Sequence, residues 1–156
     1  MYARARELRK GCDEMRLQSA IFVLEETLPG RADAAKVLSI LKMEGVWMYA
    51  VTDMARSAAE DALRSLDLSG YFRGVLTAAE ANCAATDARM FEKAMRRLRS
   101  TARDTVVFVG RLETLRRAKA AGYRTAAVGG AAEPPEWDAM CAEAEEAVAS
   151  YAEFLA

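Results

Sequence analysis

The sequence predicts a single α/β domain in which a central parallel sheet of five or six strands lies between two layers of helices. Short, continuous apolar segments rich in β-branched and aromatic residues alternate along the chain with amphipathic helical segments. This alternation is typical of strands joined by right-handed helical crossovers. With 156 residues, of which 53% are hydrophobic and 29% charged, the chain is long enough for one domain with its own core.

The first half of the chain begins with an amphipathic helix, predicted over residues 2–18, that precedes the first core strand. The further elements expected here are a strand at residues 20–24, a helix at 34–43, a strand at 46–51 and a helix at about 55–66. Asp53 is expected to cap the last of these helices, because a carboxylate at that position can accept hydrogen bonds from the first free backbone N–H groups.

The second half repeats the alternation. The elements expected here are a weak strand at residues 74–76, a helix at 89–98, a strand at 105–110, a helix through 120, a strand at 123–128 and a helix from about 137. Thr86 or Asp87 is expected to cap the 89–98 helix. The stretch around Ala147 and Val148 fits either the last helix or a short sixth strand.

Composition excludes several classes of function. The net charge of −1 provides no field that would favour nucleic acid or an anionic membrane. The chain has no histidine, and Cys12, Cys83 and Cys141 are far apart, which argues against a zinc site, a Cys–His nucleophile and a disulfide framework. The segment MYARARELRK lacks the apolar core of a signal peptide, and no apolar run is long enough for a bilayer. We therefore expect a cytoplasmic protein without membrane or nucleic-acid partners.

Three segments follow one another at the ends of predicted strands: IFVLEETL at residues 21–28, YAVT at 49–52 and VVFVGR at 106–111. In this order they resemble the first, second and fourth motifs of the haloacid dehalogenase superfamily. Those motifs are usually IFDLDGTL, a strand ending in Thr or Ser, and VGDSxxD. The resemblance extends over roughly residues 19–155 and implies a three-layer, Rossmann-like fold. The short connections at 28–46 and 52–74 leave no room for a substantial cap domain.

The family's chemistry depends on residues that are mostly absent here. In that family an Asp attacks the phosphoryl group, a second Asp acts as acid and base, and a Thr or Ser, a Lys and further carboxylates hold the phosphoryl oxygens and Mg²⁺. The matching positions in this chain are Val23, Glu25, Thr52, Ala85, Arg111 and Leu115. Only Thr52 matches fully, and Glu26 replaces a glycine of the first motif. The resemblance thus implies a phosphatase fold whose nucleophile, lysine and metal ligands are replaced.

Glu25, Thr52 and Arg111 are the candidate ligand-binding residues, and no metal site is expected. Arg111 either occupies the vacated metal position and pairs with Glu25, or is a solvated residue at the start of a helix, or binds a small anion together with Thr52. Glu25 is either an acid–base residue or a structural carboxylate. Thr52 is either a remnant of phosphate binding or a helix cap. Lys93 is expected to be exposed rather than to replace the missing lysine.

From these replacements we expect a catalytically inactive protein of this superfamily that acts as a binding, regulatory or interaction module. Its partner is expected to be another protein or a second copy of the chain, and no cofactor is expected. One alternative is a phosphomonoester phosphatase of weak or atypical activity, which would use Mg²⁺. A second alternative is a domain that binds a small anion.

Overall fold

The structure, a computed structural model, describes residues 19–155, so the helix predicted over residues 2–18 lies outside the described residues. Its strands are β1 (Ser19–Val23), β2 (Trp47–Thr52), β3 (Gly74–Thr77), β4 (Thr105–Val109), β5 (Arg124–Val128) and β6 (Glu146–Val148). All neighbouring strands are parallel, in the order β3-β2-β1-β4-β5-β6 across the sheet. The predicted α/β fold with a parallel sheet is confirmed, and the sixth strand is present.

Helices connect these strands. They are α1 (Leu24–Thr27), α2 (Ala34–Met43), α3 (Arg56–Ser65), α4 (Ala78–Ala81), α5 (Ala88–Arg97), α6 (Leu112–Ala120) and α7 (Pro134–Glu143). Short 3-10 segments lie at Ser69–Tyr71, Ala102–Asp104 and Tyr151–Leu155. Asp87 caps α5 by accepting a hydrogen bond from the Arg89 N–H, as predicted.

The last helix differs in its bounds from the prediction, and of the two alternatives for Ala147 and Val148 the short sixth strand is confirmed. The helix was expected from about residue 137 into the tail, whereas α7 begins at Pro134 and ends at Glu143. A proline fits the first turn of a helix, where its missing N–H group has no intrahelical partner to lose. At its other end, Ala144 has an extended backbone, and the chain continues into β6, which pairs with β5.

Two apolar clusters, one on each face of the sheet, form the core. The 3-10 segment at Tyr151–Leu155, together with α2 and α3, covers the face of Phe22 and Phe108, whose rings stack with centroids 4.2 Å apart. The other face is covered by α5, α6 and α7, which bury Phe91, Leu115 and Met140. The three predicted layers are thus confirmed.

The carboxyl ends of β1, β2 and β4 open on the same edge of the sheet, because these strands are adjacent and parallel. This is the edge at which open α/β sheets bind ligands. Within residues 19–155, the loops that leave these strands lead directly into helices, with no inserted domain. No helix in this part of the chain is long and apolar enough to cross a membrane.

Candidate functional site

Val23 ends β1 at the position where the family resemblance places the nucleophile. Its side chain is 2% exposed and lies in the apolar cluster that faces α5 and α6. Its carbonyl accepts a hydrogen bond of 2.8 Å from the Thr27 hydroxyl, which closes the single turn of α1. An aliphatic side chain here has no lone pair for attack on a phosphoryl group.

Glu25 reaches from α1 to the loop after β2. One carboxylate oxygen accepts the backbone N–H of Asp53 at 2.8 Å. The other oxygen is buried, and no described residue donates a hydrogen bond to it. The Asp53 carboxylate in turn accepts the Ala85 N–H at 2.9 Å, so the predicted helix cap at Asp53 is wrong. The N-cap position of α3 is Ala55, which makes no capping side-chain hydrogen bond, and the Asp53 carboxylate is engaged across the loop instead.

Thr52 is completely buried at the end of β2. Its hydroxyl accepts the Met54 N–H at 3.0 Å, which forms a local turn before α3. The hydroxyl therefore stabilises the loop that also holds Glu25.

Glu26 reaches in the opposite direction, to the loop after β4. One of its oxygens accepts the backbone N–H groups of Gly110 at 2.9 Å and Arg111 at 3.1 Å, and the other accepts the Thr114 hydroxyl at 2.8 Å. Burial raises the pKa of the Glu26 carboxyl, and the hydrogen bonds from Gly110, Thr114 and Arg111 oppose this rise. The carboxylate thus occupies the N-terminal end of α6, where backbone N–H groups favour an anion.

Backbone contacts hold the same loop in place. A Cβ atom at Gly110 would lie 2.3 Å from the Glu26 carbonyl oxygen, so only glycine fits there without a shift. The Arg31 guanidinium donates to the carbonyls of Glu26 at 2.7 Å and Gly129 at 3.0 Å. The turn of α1 is therefore fixed to the ends of both β4 and β5.

Arg111 does not pair with Glu25. Its guanidinium binds the Glu136 carboxylate at 2.8 and 3.2 Å, and Glu136 also accepts the Leu112 N–H at 2.9 Å. Both side chains lie at the surface, and the Arg111 guanidinium lowers the pKa of the Glu136 carboxyl. Of the three alternatives for Arg111, the pairing with Glu25 is therefore wrong, because Glu136 of α7 binds its guanidinium.

Two further positions that the resemblance matches to catalytic residues, Ala85 and Leu115, carry no functional group, and Lys93 lies at the surface. Ala85 and Leu115 are buried in the cluster that faces α5 and α6, and Leu115 is fully inaccessible. Lys93 is exposed and donates to the Ala81 carbonyl at the end of α4. The expectation that Lys93 is exposed is confirmed.

The described residues do not suit Mg²⁺. This ion requires about six oxygen ligands in octahedral geometry, usually including one or two carboxylates. Residues 19–155 contain no group of three or more acidic, histidine or cysteine side chains placed to hold a metal ion. The two acidic side chains on α1 diverge, since Glu25 binds the Asp53 N–H and Glu26 the Gly110 N–H.

Sequence reasoning missed two residues that shape this site, Arg31 and Glu136, and it did not predict the contacts of Glu26. Glu26 carried a signal, because a glutamate stands where the family motif has a glycine, directly after a second glutamate. The partners of Arg31 and Glu136 become visible only in the fold. Arg31 contacts Gly129, 98 positions away.

The model of the haloacid dehalogenase-like hydrolase family matches residues 5–110, which is more than half of the chain. None of the curated proteins matches this sequence closely enough to be counted as similar.

Solved structures with a similar fold include dehalogenases and phosphatases. A dehalogenase is 23% identical, with a TM-score of 0.69, over 82% of this chain and 56% of its own. The core domain of a protein assigned as a phosphoglycolate phosphatase from Streptococcus pneumoniae TIGR4 is 17% identical, with a TM-score of 0.66, over 90% of this chain and 94% of its own. A HAD-superfamily hydrolase of subfamily IA from Geobacter sulfurreducens PCA is 20% identical, with a TM-score of 0.63, over 80% of this chain and 54% of its own. The chain thus spans little more than half the length of the dehalogenase, and at these identities the likeness shows the fold alone.

Proposed function

Because this chain belongs to the haloacid dehalogenase-like hydrolases, we propose that it keeps their fold and acts as a non-catalytic binding or interaction module. The observation that carries this proposal is the Glu26 carboxylate, which is seated on the backbone N–H groups of Gly110 and Arg111. In the family these positions belong to the motif that helps to hold Mg²⁺. Here the Glu26 side chain binds these N–H groups in place of an external ligand.

The missing nucleophile is the second support. Hydrolysis through a phosphorylated carboxylate needs a carboxylate at the end of β1, and this position is the buried Val23. The Thr52 hydroxyl, the one fully matching residue, accepts a hydrogen bond from Met54. Neither Val23 nor Thr52 is thus placed to form the covalent intermediate.

Electrostatics adds a third support. Glu25 and Glu26 take up the N–H groups of Asp53, Gly110 and Arg111, which would otherwise be donors for phosphoryl oxygens. Two carboxylates in this place disfavour a phosphate dianion by like-charge repulsion. A small anion that binds through Arg111 would first have to displace Glu136.

The test is hydrolysis of a generic phosphomonoester with millimolar Mg²⁺, measured for the wild type, Glu25→Gln and Lys93→Gln. We expect all three proteins to give the same rate as a buffer blank. Lys93→Gln is the matched control, because Lys93 is charged but exposed on α5. Mg²⁺-dependent turnover that disappears in Glu25→Gln and persists in Lys93→Gln would overturn the proposal.

The alternative function is a phosphatase of atypical mechanism that uses Glu25. It is favoured by one observation, the buried Glu25 oxygen to which no described residue donates a hydrogen bond. A metal bound only to the folded chain would raise its melting temperature. A thermal shift with Mg²⁺ that is lost in Glu25→Gln would support this alternative, and its absence would favour the non-catalytic module.

A further inference from the structure

Two large apolar side chains are exposed at the turn between α2 and β2. Met43 ends α2 and is 85% exposed, and Trp47 begins β2 and is 45% exposed. Within residues 19–155 no other large apolar side chain is as exposed as these two. Single apolar side chains on a surface are common, but neighbouring ones often mark a contact surface. Met43 and Trp47 are called the amino-edge patch below, because they lie where β2 begins.

Arg73 holds the Trp47 ring in place. The central carbon of its guanidinium lies over the ring, 4.1 Å from the centroid. Its backbone N–H donates to the Met48 carbonyl of β2 at 2.8 Å, which fixes Arg73 beside the strand. A guanidinium is attracted to the face of an indole ring, and tryptophan and arginine are frequent anchors of contact surfaces. The ring is thus positioned while nearly half of the residue remains open to a partner.

The strand register places the start of β1 directly beside this patch. Ser19 pairs with Trp47 of β2 on one side and with Thr105 of β4 on the other, where the two hydroxyl oxygens are 2.8 Å apart. Adjacent strands lie about 4.8 Å apart. The chain that precedes Ser19 therefore joins the sheet next to Trp47. Met15, four residues earlier, can lie no more than about 14 Å from Ser19.

The segment that joins the sheet there has an apolar stripe of its own. Residues 2–18, which lie outside the described residues, are predicted from the sequence to form an amphipathic helix with Leu8, Cys12 and Met15 on one side. A helix of this length would be about 25 Å long. Such a helix is marginal in water by itself, and it becomes stable by packing its apolar side on another surface. The amino-edge patch is an exposed apolar surface at the point where this segment is attached.

We propose that the amino-edge patch is the docking surface for residues 2–18 of the same chain, whose apolar stripe packs on Trp47 and Met43. The attachment at Ser19 decides in favour of the chain's own segment. A tether this short gives an effective concentration on the order of millimolar, which a second copy or another protein would have to exceed. The patch lies at the amino ends of the strands, opposite the candidate functional site, so this inference does not depend on whether that site is catalytic.

The first test is the rate at which the Cys12 thiol reacts with a disulfide reagent in the full chain. Cys83→Ser and Cys141→Ser leave Cys12 as the only cysteine. We expect docking to protect Cys12, and Met15→Asp to accelerate its reaction at least about tenfold, the factor implied by the loss of one buried apolar side chain. Lys10→Asp is the matched control, because it places the same aspartate on the opposite side of the predicted helix. A wild-type rate equal to that of a short peptide of residues 2–18 would overturn the proposal.

The second test locates the surface from the other side of the contact. In the same background, Met43→Asp and Trp47→Ala are each expected to accelerate the reaction of Cys12. Met43→Asp leaves the fold intact because residue 43 is exposed, so it covers the case in which the Trp47 variant fails to fold. Ala58→Asp is the control, an exposed position on α3. Acceleration by Met15→Asp without any effect of the two patch variants would mean that the segment docks elsewhere, which overturns the proposal.

A dilution series distinguishes the chain's own segment from that of a second copy. The Cys12 rate is measured over a hundredfold range of protein concentration. We expect a constant rate, because a contact within one chain does not depend on concentration. A rate that rises on dilution would show that another copy provides the segment, and it would overturn the assignment to the same chain.

Discussion

Glu26 shows how one carboxylate can satisfy several hydrogen-bond donors at the end of a strand. Its two oxygens satisfy two backbone N–H groups and one hydroxyl from the loop after β4. These donors would be costly to leave without a partner, because unsatisfied polar groups in a buried site are destabilising. The carboxylate is therefore a structural part of the loop.

Glu26→Ala is expected to lower the free energy of unfolding by about 1–3 kcal/mol, because it leaves the Gly110 N–H and the Thr114 hydroxyl without an acceptor. Glu26→Gln is the matched control. Its amide oxygen can accept the backbone N–H groups while its amide nitrogen donates to Thr114, so we expect a change below about 1 kcal/mol. Urea denaturation at neutral pH measures both values. Equal losses in the two variants would show that the contacts of this side chain do not stabilise the loop.

The pH dependence of stability tests the charge of the same residue. Because burial raises the pKa of Glu26, the folded chain holds a proton that the unfolded chain has already lost as the pH rises above about 4.3. Over this range, up to the folded-state pKa, the free energy of unfolding of the wild type should fall relative to that of Glu26→Gln. Denaturation at a series of pH values checks this. A relative rise over the same range would contradict a raised pKa.

At the scale of elements, the close contact between α1 and the loop after β4 requires glycine at position 110, because this residue has no side chain. Gly110→Ala would place a Cβ atom 2.3 Å from the backbone carbonyl of Glu26. We expect a loss of about 1–3 kcal/mol in the free energy of unfolding, because a rigid backbone atom must move. Gly70→Ala is the control, since a Cβ there meets no atom within 4 Å. Thermal denaturation of both variants measures this difference. Equal melting temperatures would argue against a tight contact between residue 110 and the Glu26 carbonyl.

The positions of helices and strands could be predicted from the sequence better than the contacts between residues that are distant in sequence. The buried strands are continuous apolar runs, such as residues 105–109, so their positions follow from local composition. The cap at Asp87 is also local, because it binds the N–H group two residues later. Asp53 was misinterpreted because its carboxylate reaches Ala85, 32 positions away, and no local pattern encodes that distance.

The same limit applies to the candidate site. The prediction that Val23 and Arg111 stand where the family has carboxylates comes from the motifs alone. The partner of the Arg111 guanidinium cannot be predicted from the motifs. It depends on how α7 lies beside α6 and brings Glu136 close. Glu25 and Glu26 are consecutive in sequence yet bind loops on opposite sides of β1, which only the sheet order explains.

At the scale of the molecule, protection from hydrogen exchange should follow the order of the strands. β1 and β4 lie in the middle of the sheet, and their side chains are buried throughout. β3 and β6 are outermost and have a neighbouring strand on one side only. We expect the slowest amide exchange in β1 and β4 and faster exchange in β3 and β6, measured by mass spectrometry of peptide fragments. Uniform exchange across the sheet would indicate that it opens as a single unit.

The paired carboxylates of α1 also bear on which side chain position 23 can carry. A mutation that introduced an aspartate at position 23 would place a third acidic side chain within four residues, and ionising all three together would be costly without a cation. No cation could settle there until Glu26 had also released the Gly110 and Arg111 amides. An aspartate at position 23 would thus be expected to lower the free energy of unfolding unless Glu26 changed with it. Residues 23 and 26 are therefore coupled through the charge at this end of the sheet, although they lie on different elements.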